Sequence, residues 1–229
     1  MDTLHIKTPC ILSSKLSRQL GRDVYLKLEN CQPSQSFKLR GIGALCLEAV
    51  GQGATQFVSS SGGNAGLAAA LAGRILKVPT TVYIPESTPP FVRERLKFEG
   101  AEVVVAGKVW DDAHAAALKV VDIQGAFYIP PFDHPTIWKG NSTLVDELKT
   151  QIDKPSLVVL SVGGGGLLCG VMEGLHRNGW GDVPILACET EGTASFAATL
   201  AAGKLITLPT ISGVATSLGA RTVAAKLLD

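Results

Sequence analysis

Lys38 lies in the run Ser34-Gln35-Ser36-Phe37-Lys38-Leu39-Arg40-Gly41, directly ahead of the apolar stretch Ile42–Val50. At the start of a helix, between Phe37 and Leu39 and with Ser36 placed to cap it, the ammonium form is disfavoured twice. The helix N-terminus opposes positive charge, and partial burial penalises the ion. A lysine whose amine is released in this way suits Schiff-base chemistry with a carbonyl compound. Phe37 is available to cover a flat ring. The plain alternative is a solvated lysine with no role.

Two glycine-rich loops could hold anions. Ser161-Val162-Gly163-Gly164-Gly165-Gly166 stands between an apolar strand and a helix. Successive glycines turn tightly and aim several N–H groups one way, and the helix adds its positive end, which makes a phosphate cradle. Such a run is costly in chain entropy unless something approaches the backbone closely. Ser59-Ser60-Ser61-Gly62-Gly63-Asn64-Ala65-Gly66 holds the equivalent place on another strand–helix unit and suits a carboxylate plus one polar ring substituent. Together the loops predict a ligand assembly with two anionic ends. Neither is a nucleotide motif: Leu167-Leu168 follow the tetraglycine where GxxxxGK[ST] or GxGxxG would need other residues. Glu189, at the end of a later strand, keeps a Rossmann-type oxidoreductase open as an alternative.

The elements that must position these residues follow from periodicity. Strands are predicted at Gln56–Ser59, Thr80–Ile84, Glu102–Val105, Phe127–Ile129, Ser156–Val162 and Pro184–Cys188. Helices are predicted over Asn64–Leu76, Pro90–Phe98, Asp111–Val121, Trp138–Ile152, Leu167–Arg177 and Ala194–Ala201. The alternation argues a mostly parallel α/β architecture with helices on both faces and functional loops at the strands' carboxyl ends. The continuous run Leu157-Val158-Val159-Leu160 reads as a strand buried on both faces. Asp133-His134-Pro135 is the expected passage between subdomains.

With 46% apolar and 18% charged residues, the 229-residue chain can bury a substantial core. Its net charge of +1 gives no reason to expect nucleic acid or a membrane surface as a partner. The N-terminus lacks a signal-peptide run, and no apolar stretch is long enough to span a bilayer. The five cysteines show no metal-ligand spacing and read as free thiols in a reducing compartment, so a cytoplasmic protein is expected.

The motifs also resemble a known family. Tyr25-Leu26-Lys27-Leu28-Glu29-Asn30 with Gln32–Gly41 is similar to the lysine segment of pyridoxal-phosphate (PLP) dependent serine/threonine dehydratases. Ser60–Gly66 resembles their substrate loop and Ser161–Gly166 their phosphate loop. Ile129-Pro130-Pro131-Phe132-Asp133-His134-Pro135 and Ile137-Trp138-Lys139-Gly140 resemble the serine dehydratase-like branch in particular. The resemblance runs from about Thr8 to the last residue. It implies a fold-type II PLP enzyme with two open, mostly parallel twisted sheets. Residues 1–35 and 135–229 would form a larger PLP-binding domain, and 36–134 a smaller substrate domain.

By the same resemblance Lys38 is the catalytic residue and binds PLP, with Phe37 packed on the ring and Asn64 on the ring hydroxyl. Gly163, Gly164, Gly165 and Gly166 would hold the phosphate. Ser61, Gly62 and Ala65 would surround the substrate carboxylate. A monovalent cation such as potassium would use Glu189 with the carbonyls of Gly163, Thr193, Leu218 and Ala220. The implied activity is that of a carbon–nitrogen lyase in a homodimer. It deaminates L-serine to pyruvate and ammonia, and L-threonine to 2-oxobutanoate. β-Replacement, racemisation, or an inactive shortened chain paired with a full-length partner are the alternatives.

Two departures from the family pattern stand out. Gln35 replaces the glycine of Pro-Ser-Gly-Ser-Phe-Lys, a strained choice if the position needs positive φ. Related chains also continue past the point corresponding to Asp229, whereas this sequence stops within an apolar, helix-like run, Val223–Leu228. The expectation is therefore a larger domain incomplete at its C-terminus, with an open sheet edge and an uncovered apolar face.

Overall fold

The structure is a computed structural model that describes residues 2–121, 125–213, 215 and 217–228. In chain order the strands are β1 (Cys10–Leu12), β2 (Tyr25–Lys27), β3 (Gln56–Ser59), β4 (Thr80–Ile84), β5 (Glu102–Val105), β6 (Ala126–Tyr128), β7 (Val158–Ser161) and β8 (Ile185–Cys188). The α-helices are α1 (Ser14–Leu20), α2 (Lys38–Gly51), α3 (Asn64–Leu76), α4 (Pro90–Phe98), α5 (Trp110–Val121), α6 (Pro135–Lys149), α7 (Gly166–Arg177) and α8 (Ser195–Ala202).

A four-stranded parallel sheet has the order β5-β4-β3-β6. The chain moves outward from β3 to β5 and then returns to β6 on the far side of β3. With right-handed crossovers, α3 and α4 cover one face and α5 the other. Val82 and Ile84 of β4 pack with Leu67 and Ala70 of α3 and Leu96 of α4, all buried. The reversal leaves a crevice where the loops after β3 and β6 diverge, the place at which open α/β sheets bind ligands.

A parallel pair, β7-β8, and an antiparallel pair, β1-β2, make up the other sheets. The antiparallel pair escapes the sequence pattern because each strand has only three residues. Leu144, Val145 and Leu148 of α6 and Val171 and Leu175 of α7 pack against Val158, Leu160 and Ile185. The reading of Leu157–Leu160 as buried on both faces does not hold. Val159 is 60% exposed, and Leu157 and Leu186 are about half exposed, because the helices cover one face of this pair. The C-terminal apolar run forms a short 3-10 turn at Ala225–Leu228 in place of the expected helix. Helix α6 begins three residues earlier than expected, with Pro135 in its first turn and His134 Nδ1 accepting from the Thr136 N–H at 3.2 Å.

Helix α2 lies at the centre. Its Leu39, Ile42, Leu45, Cys46 and Ala49 pack with α3, with Phe57 of β3 and with Ile129 and Ile137. The four-stranded sheet lies wholly within residues 36–134 and the two-stranded pairs lie outside it. The α2 core also takes in Leu4 and Ile137 from beyond that range. Close approach at glycines fixes the helix stack: a Cβ on Gly41 of α2 would meet the Ile137 carbonyl at 2.5 Å. One on Gly170 of α7 would meet the Trp138 carbonyl at 2.7 Å. Helix α6 therefore sets the positions of both α2 and α7.

Arg40, fully buried on α2, is held by two carboxylates. Its Nε and Nη2 donate to Glu29 at 2.7 Å each. Its Nη1 and Nη2 donate to Glu147 of α6 at 2.7 and 2.9 Å. Lys27 of β2 also donates to Glu147, and Thr8 donates its hydroxyl to Glu29 at 2.6 Å. Burial alone would raise the Glu147 pKa, but the hydrogen bonds from Arg40 and Lys27 outweigh it and hold the carboxyl below its ordinary value. Its stabilising effect is present above the ordinary carboxylate pKa and is lost as pH falls through the lowered folded value. Arg40→Ala leaves Glu29 without its cation and Glu147 with Lys27 alone, and is expected to cost about 3–5 kcal/mol in urea unfolding at neutral pH. That loss should shrink in acid; a loss under about 1 kcal/mol would show that the network contributes little.

Candidate active site

Lys38 is the first residue of α2, and its Nζ donates to the Pro131 carbonyl at 2.5 Å. The Phe37 ring centroid lies 5.3 Å from Nζ and that of Phe132 lies 6.0 Å away. Burial lowers the amine to about pKa 8. Its hydrogen-bond partner is a carbonyl, which does not replace the water lost from the ammonium as a carboxylate would. Burial alone accounts for the lowering.

Ser36 does not cap the helix. Phe37 takes the capping position with helical dihedrals and makes no side-chain cap bond. The Arg40 N–H already reaches the Phe37 carbonyl at 2.9 Å, so the turn closes through backbone. The Ser36 hydroxyl is left buried without a partner beside Lys38. Gln35 adopts φ +61°, so this position does require the left-handed conformation. Its Oε1 accepts from Arg95 of α4 at 3.0 Å.

Phe132 connects Lys38 to the tetraglycine. A Cβ on Gly164 would collide with the Phe132 ring, and one on Gly166 would meet its carbonyl at 2.6 Å. From the other side, the Leu218 carbonyl crowds Gly163 and the Leu227 side chain crowds Gly165. Close packing by the protein itself therefore already demands the glycines, and their number is not by itself a sign of a ligand. The donors are such a sign. Among the described residues, none of the N–H groups of Gly163, Gly164, Gly165 or Gly166 donates to a protein acceptor. Gly165 and Gly166 open α7, so the helix's positive end faces the same space. Four unpaired donors, an unpaired hydroxyl and a lowered lysine fit an anionic aldehyde of the PLP type.

Ser61, Gly62, Asn64 and Ala65 form a second group, at the carboxyl end of β3. The Ser61 hydroxyl accepts from the Gly63 N–H at 3.3 Å. A Cβ on Gly66 would collide with the Ser61 carbonyl, so the loop lies tight against α3. Asn64 opens α3 with its side chain exposed, and Ala65 is 3% exposed. This loop and the Pro131-Phe132 segment leave neighbouring strands, β3 and β6, on either side of the crevice.

The proposed cation group is gathered in part. The Leu218 carbonyl lies against Gly163, and Thr193 is fully buried beside Gly219. Glu189 is engaged otherwise, its two oxygens accepting from the Phe196 and Ala197 N–H groups at 2.9 and 2.8 Å. It caps α8, a use that also accounts for an acid at this strand end without a ribose. Ala220 follows Gly219 and is partly buried.

Sequence reasoning did not single out Phe132 or the Pro131 carbonyl, although both lie in the Ile129–Pro135 motif, because nothing in the motif marks which ring turns inward. It also missed Ser60, His114 and Tyr128, which meet beside the crevice.

Two measurements follow. Reductive ¹³C-methylation of the cofactor-free chain should reveal one lysine titrating near pH 8, absent from Lys38→Ala; a Lys38 signal near the ordinary pKa of about 10.4 would refute the lowering. Gln35→Gly should raise stability by about 0.5–1 kcal/mol through relief of the left-handed strain. A fall would mean that the bond to Arg95 outweighs that strain.

Comparison with known proteins agrees with this geometry. The pattern of the family "pyridoxal-phosphate dependent enzyme" matches residues 1–229. The chain is 52% identical to human "serine dehydratase-like" protein, covering all of this chain and 70% of that one. It is also 52% identical to human "L-serine dehydratase/L-threonine deaminase", covering 99% of this chain and 70% of that one. Its fold superposes on a crystal structure of a fungal L-serine ammonia-lyase from Rhizomucor miehei with a TM-score of 0.93. That match has 40% identity and covers 99% of this chain and 73% of the fungal one. The chain belongs to the pyridoxal-phosphate dependent enzyme family, with the fold-type II architecture.

Proposed function

We propose that this protein is a PLP-dependent ammonia-lyase that converts L-serine to pyruvate and ammonia, and L-threonine to 2-oxobutanoate and ammonia. The observation that carries the reading is the lowered amine of Lys38, joined through Phe132 to four unpaired N–H donors. The human and fungal relatives, named for serine and threonine deamination, support the substrate class.

In this reading Gly163–Gly166 hold the cofactor phosphate, Lys38 anchors the cofactor, Phe37 covers its ring and Asn64 bonds the ring hydroxyl. When bound, PLP supplies an electron sink for the charge left on the substrate Cα. Ser61, Gly62 and Ala65 orient the substrate carboxylate, with the start of α3 adding its positive end. Near neutral pH, a lysine with pKa about 8 exchanges a proton far more readily than an ordinary one. It takes the Cα proton as general base; the β-hydroxyl takes up a proton within the site and departs as water, and hydrolysis of the C–N bond then gives the keto acid and ammonia. Pro131 and Phe132 close one side of the space and limit access of solvent.

The reading includes a monovalent cation, potassium, near Gly163, Leu218, Thr193 and Ala220. The close approach of Leu218 to Gly163 supports it, while Glu189 would have to share its carboxylate with α8. A homodimer follows from the sequence resemblance. A cytoplasmic location is supported by five free thiols. Among the described residues no helix is long and apolar enough to cross a membrane.

The PLP-loaded chain should form pyruvate from L-serine and 2-oxobutanoate from L-threonine, and Lys38→Ala should lower both rates by at least about a thousandfold. Borohydride reduction should fix the cofactor to the peptide containing Lys38. Attachment at another lysine, or Cα racemisation without keto acid, would overturn the assignment.

A further inference from the structure

Ser60, which directly precedes the Ser61–Ala65 loop, is fully buried and tied down from two elements. Its hydroxyl lies 2.8 Å from the Tyr128 phenol on β6 and 3.2 Å from His114 Nδ1 on α5. Tyr128 and His114 Nδ1 lie 3.0 Å apart, closing a triangle. The indole Nε1 of Trp110 donates to the Ser60 carbonyl at 2.8 Å. Trp110 stacks on His114 with centroids 4.6 Å apart and planes 11° from parallel.

Counting protons fixes the state of this triangle. Burial raises the Tyr128 phenol, so it keeps its proton near neutral pH. Ser60 also brings one hydrogen. If His114 Nδ1 is bare, Tyr128 can donate to it while Ser60 donates to Tyr128, and every hydrogen has an acceptor. If Nδ1 carries a hydrogen, three hydrogens share two oxygen acceptors and one hydroxyl must turn away. Either Ser60 loses its acceptor, which strands a buried donor at the root of the loop, or Tyr128 turns its hydrogen away and its bond to His114 is lost; both loosen the triangle that holds Ser60.

We propose that His114 is a positioning residue for the amino-acid carboxylate. With Nδ1 bare it locks Ser60 and hence the Ser61–Ala65 loop; on protonation the lock opens and amino-acid affinity falls. The inference rests on the reading of that loop as the carboxylate site. Burial lowers the His114 pKa below 6.5, opposed by Asp111 one turn earlier on α5, so the lock is closed at neutral pH and opens on the acid side. Asp111 is itself paired with Arg221 at 3.1 Å. Of the strands beneath α5, β6 brings Tyr128, β4 brings Tyr83, whose charged neighbour is Glu102, and β3 brings no titratable group.

The test titrates the PLP-loaded chain with L-serine and with L-alanine, an amino acid without a β-leaving group, and follows binding by the cofactor absorbance. His114→Phe keeps a ring against Trp110 and removes Nδ1; Tyr128→Phe keeps the ring and removes the hydroxyl. Both variants should bind PLP as the parent does, yet bind the amino acids roughly fivefold more weakly at about pH 7. The parent should lose affinity between about pH 7 and about pH 5.5 more steeply than His114→Phe. Unchanged affinity in both variants would overturn the inference and leave the proposed function standing. Weaker binding with the parent's pH slope retained would reduce His114 to packing and would also overturn it. If the PLP-loaded parent binds neither amino acid, the functional reading fails, and this inference with it.

Discussion

A guanidinium without solvent contact can persist only if its hydrogen-bonding hydrogens are met by compensating charge, and Arg40 meets that demand with Glu29 and Glu147. The consequence is geometric as much as energetic. Glu29 follows the β1-β2 pair, Glu147 lies in the last turn of α6, and Arg40 sits two residues after Lys38. Two neighbouring segments and a third, 107 residues beyond Arg40, must therefore converge before the charge is satisfied, and convergence places the start of α2. Lys27, bonded to the same carboxylate, gives the cluster two positive and two negative side chains. This arrangement specifies a register, because a shift of any one partner would strand a charge.

That register is passed on by α6. Its contacts with α2 and α7 run through backbone at Gly41 and Gly170, where no side chain could be inserted without separating the helices. Asn141 of α6 also donates to the Gly166 carbonyl at 2.9 Å, at the mouth of α7. The amine and the anion cradle come from segments more than a hundred residues apart in sequence, yet both are indexed to a single helix. Phe132, in the loop leading into that helix, completes the arrangement by lying against the cradle and near the lysine ring space.

Much of this was legible in the sequence where the signal was local. The six strands predicted from apolar runs are present within a residue or two at each end, because β-branched runs bounded by glycine and proline allow few other structures. Lys38 and the tetraglycine were readable because their residue types are unusual in their settings. What could not be read depended on distant partners. Val159 looked like an interior residue because its neighbours are apolar, and only the placement of α6 and α7 shows which face is covered. The Ser36 hydroxyl looked like a cap, but Phe37 had already entered the helical turn. At Glu189 the sequence offered a cation ligand or a ribose acid, and gave no sign that its carboxylate also accepts the N–H groups that open α8. Gln35 was recognised as strained on condition that φ is positive, and that φ had to be seen.

The low basicity of Lys38 has a chemical corollary. A neutral amine condenses with aldehydes in general, sugars and small metabolic carbonyls included, and nothing in its own pKa distinguishes one from another. Discrimination must come from elsewhere, and the four N–H donors of the tetraglycine are the group that can supply it. They reward a carbonyl compound that carries a phosphate at the right reach and offer nothing to an uncharged one. Reactivity and recognition are thus assigned to different ends of the same space. A chain that has lost the cradle would keep an amine open to any aldehyde, and glycation would compete with loading of the cofactor.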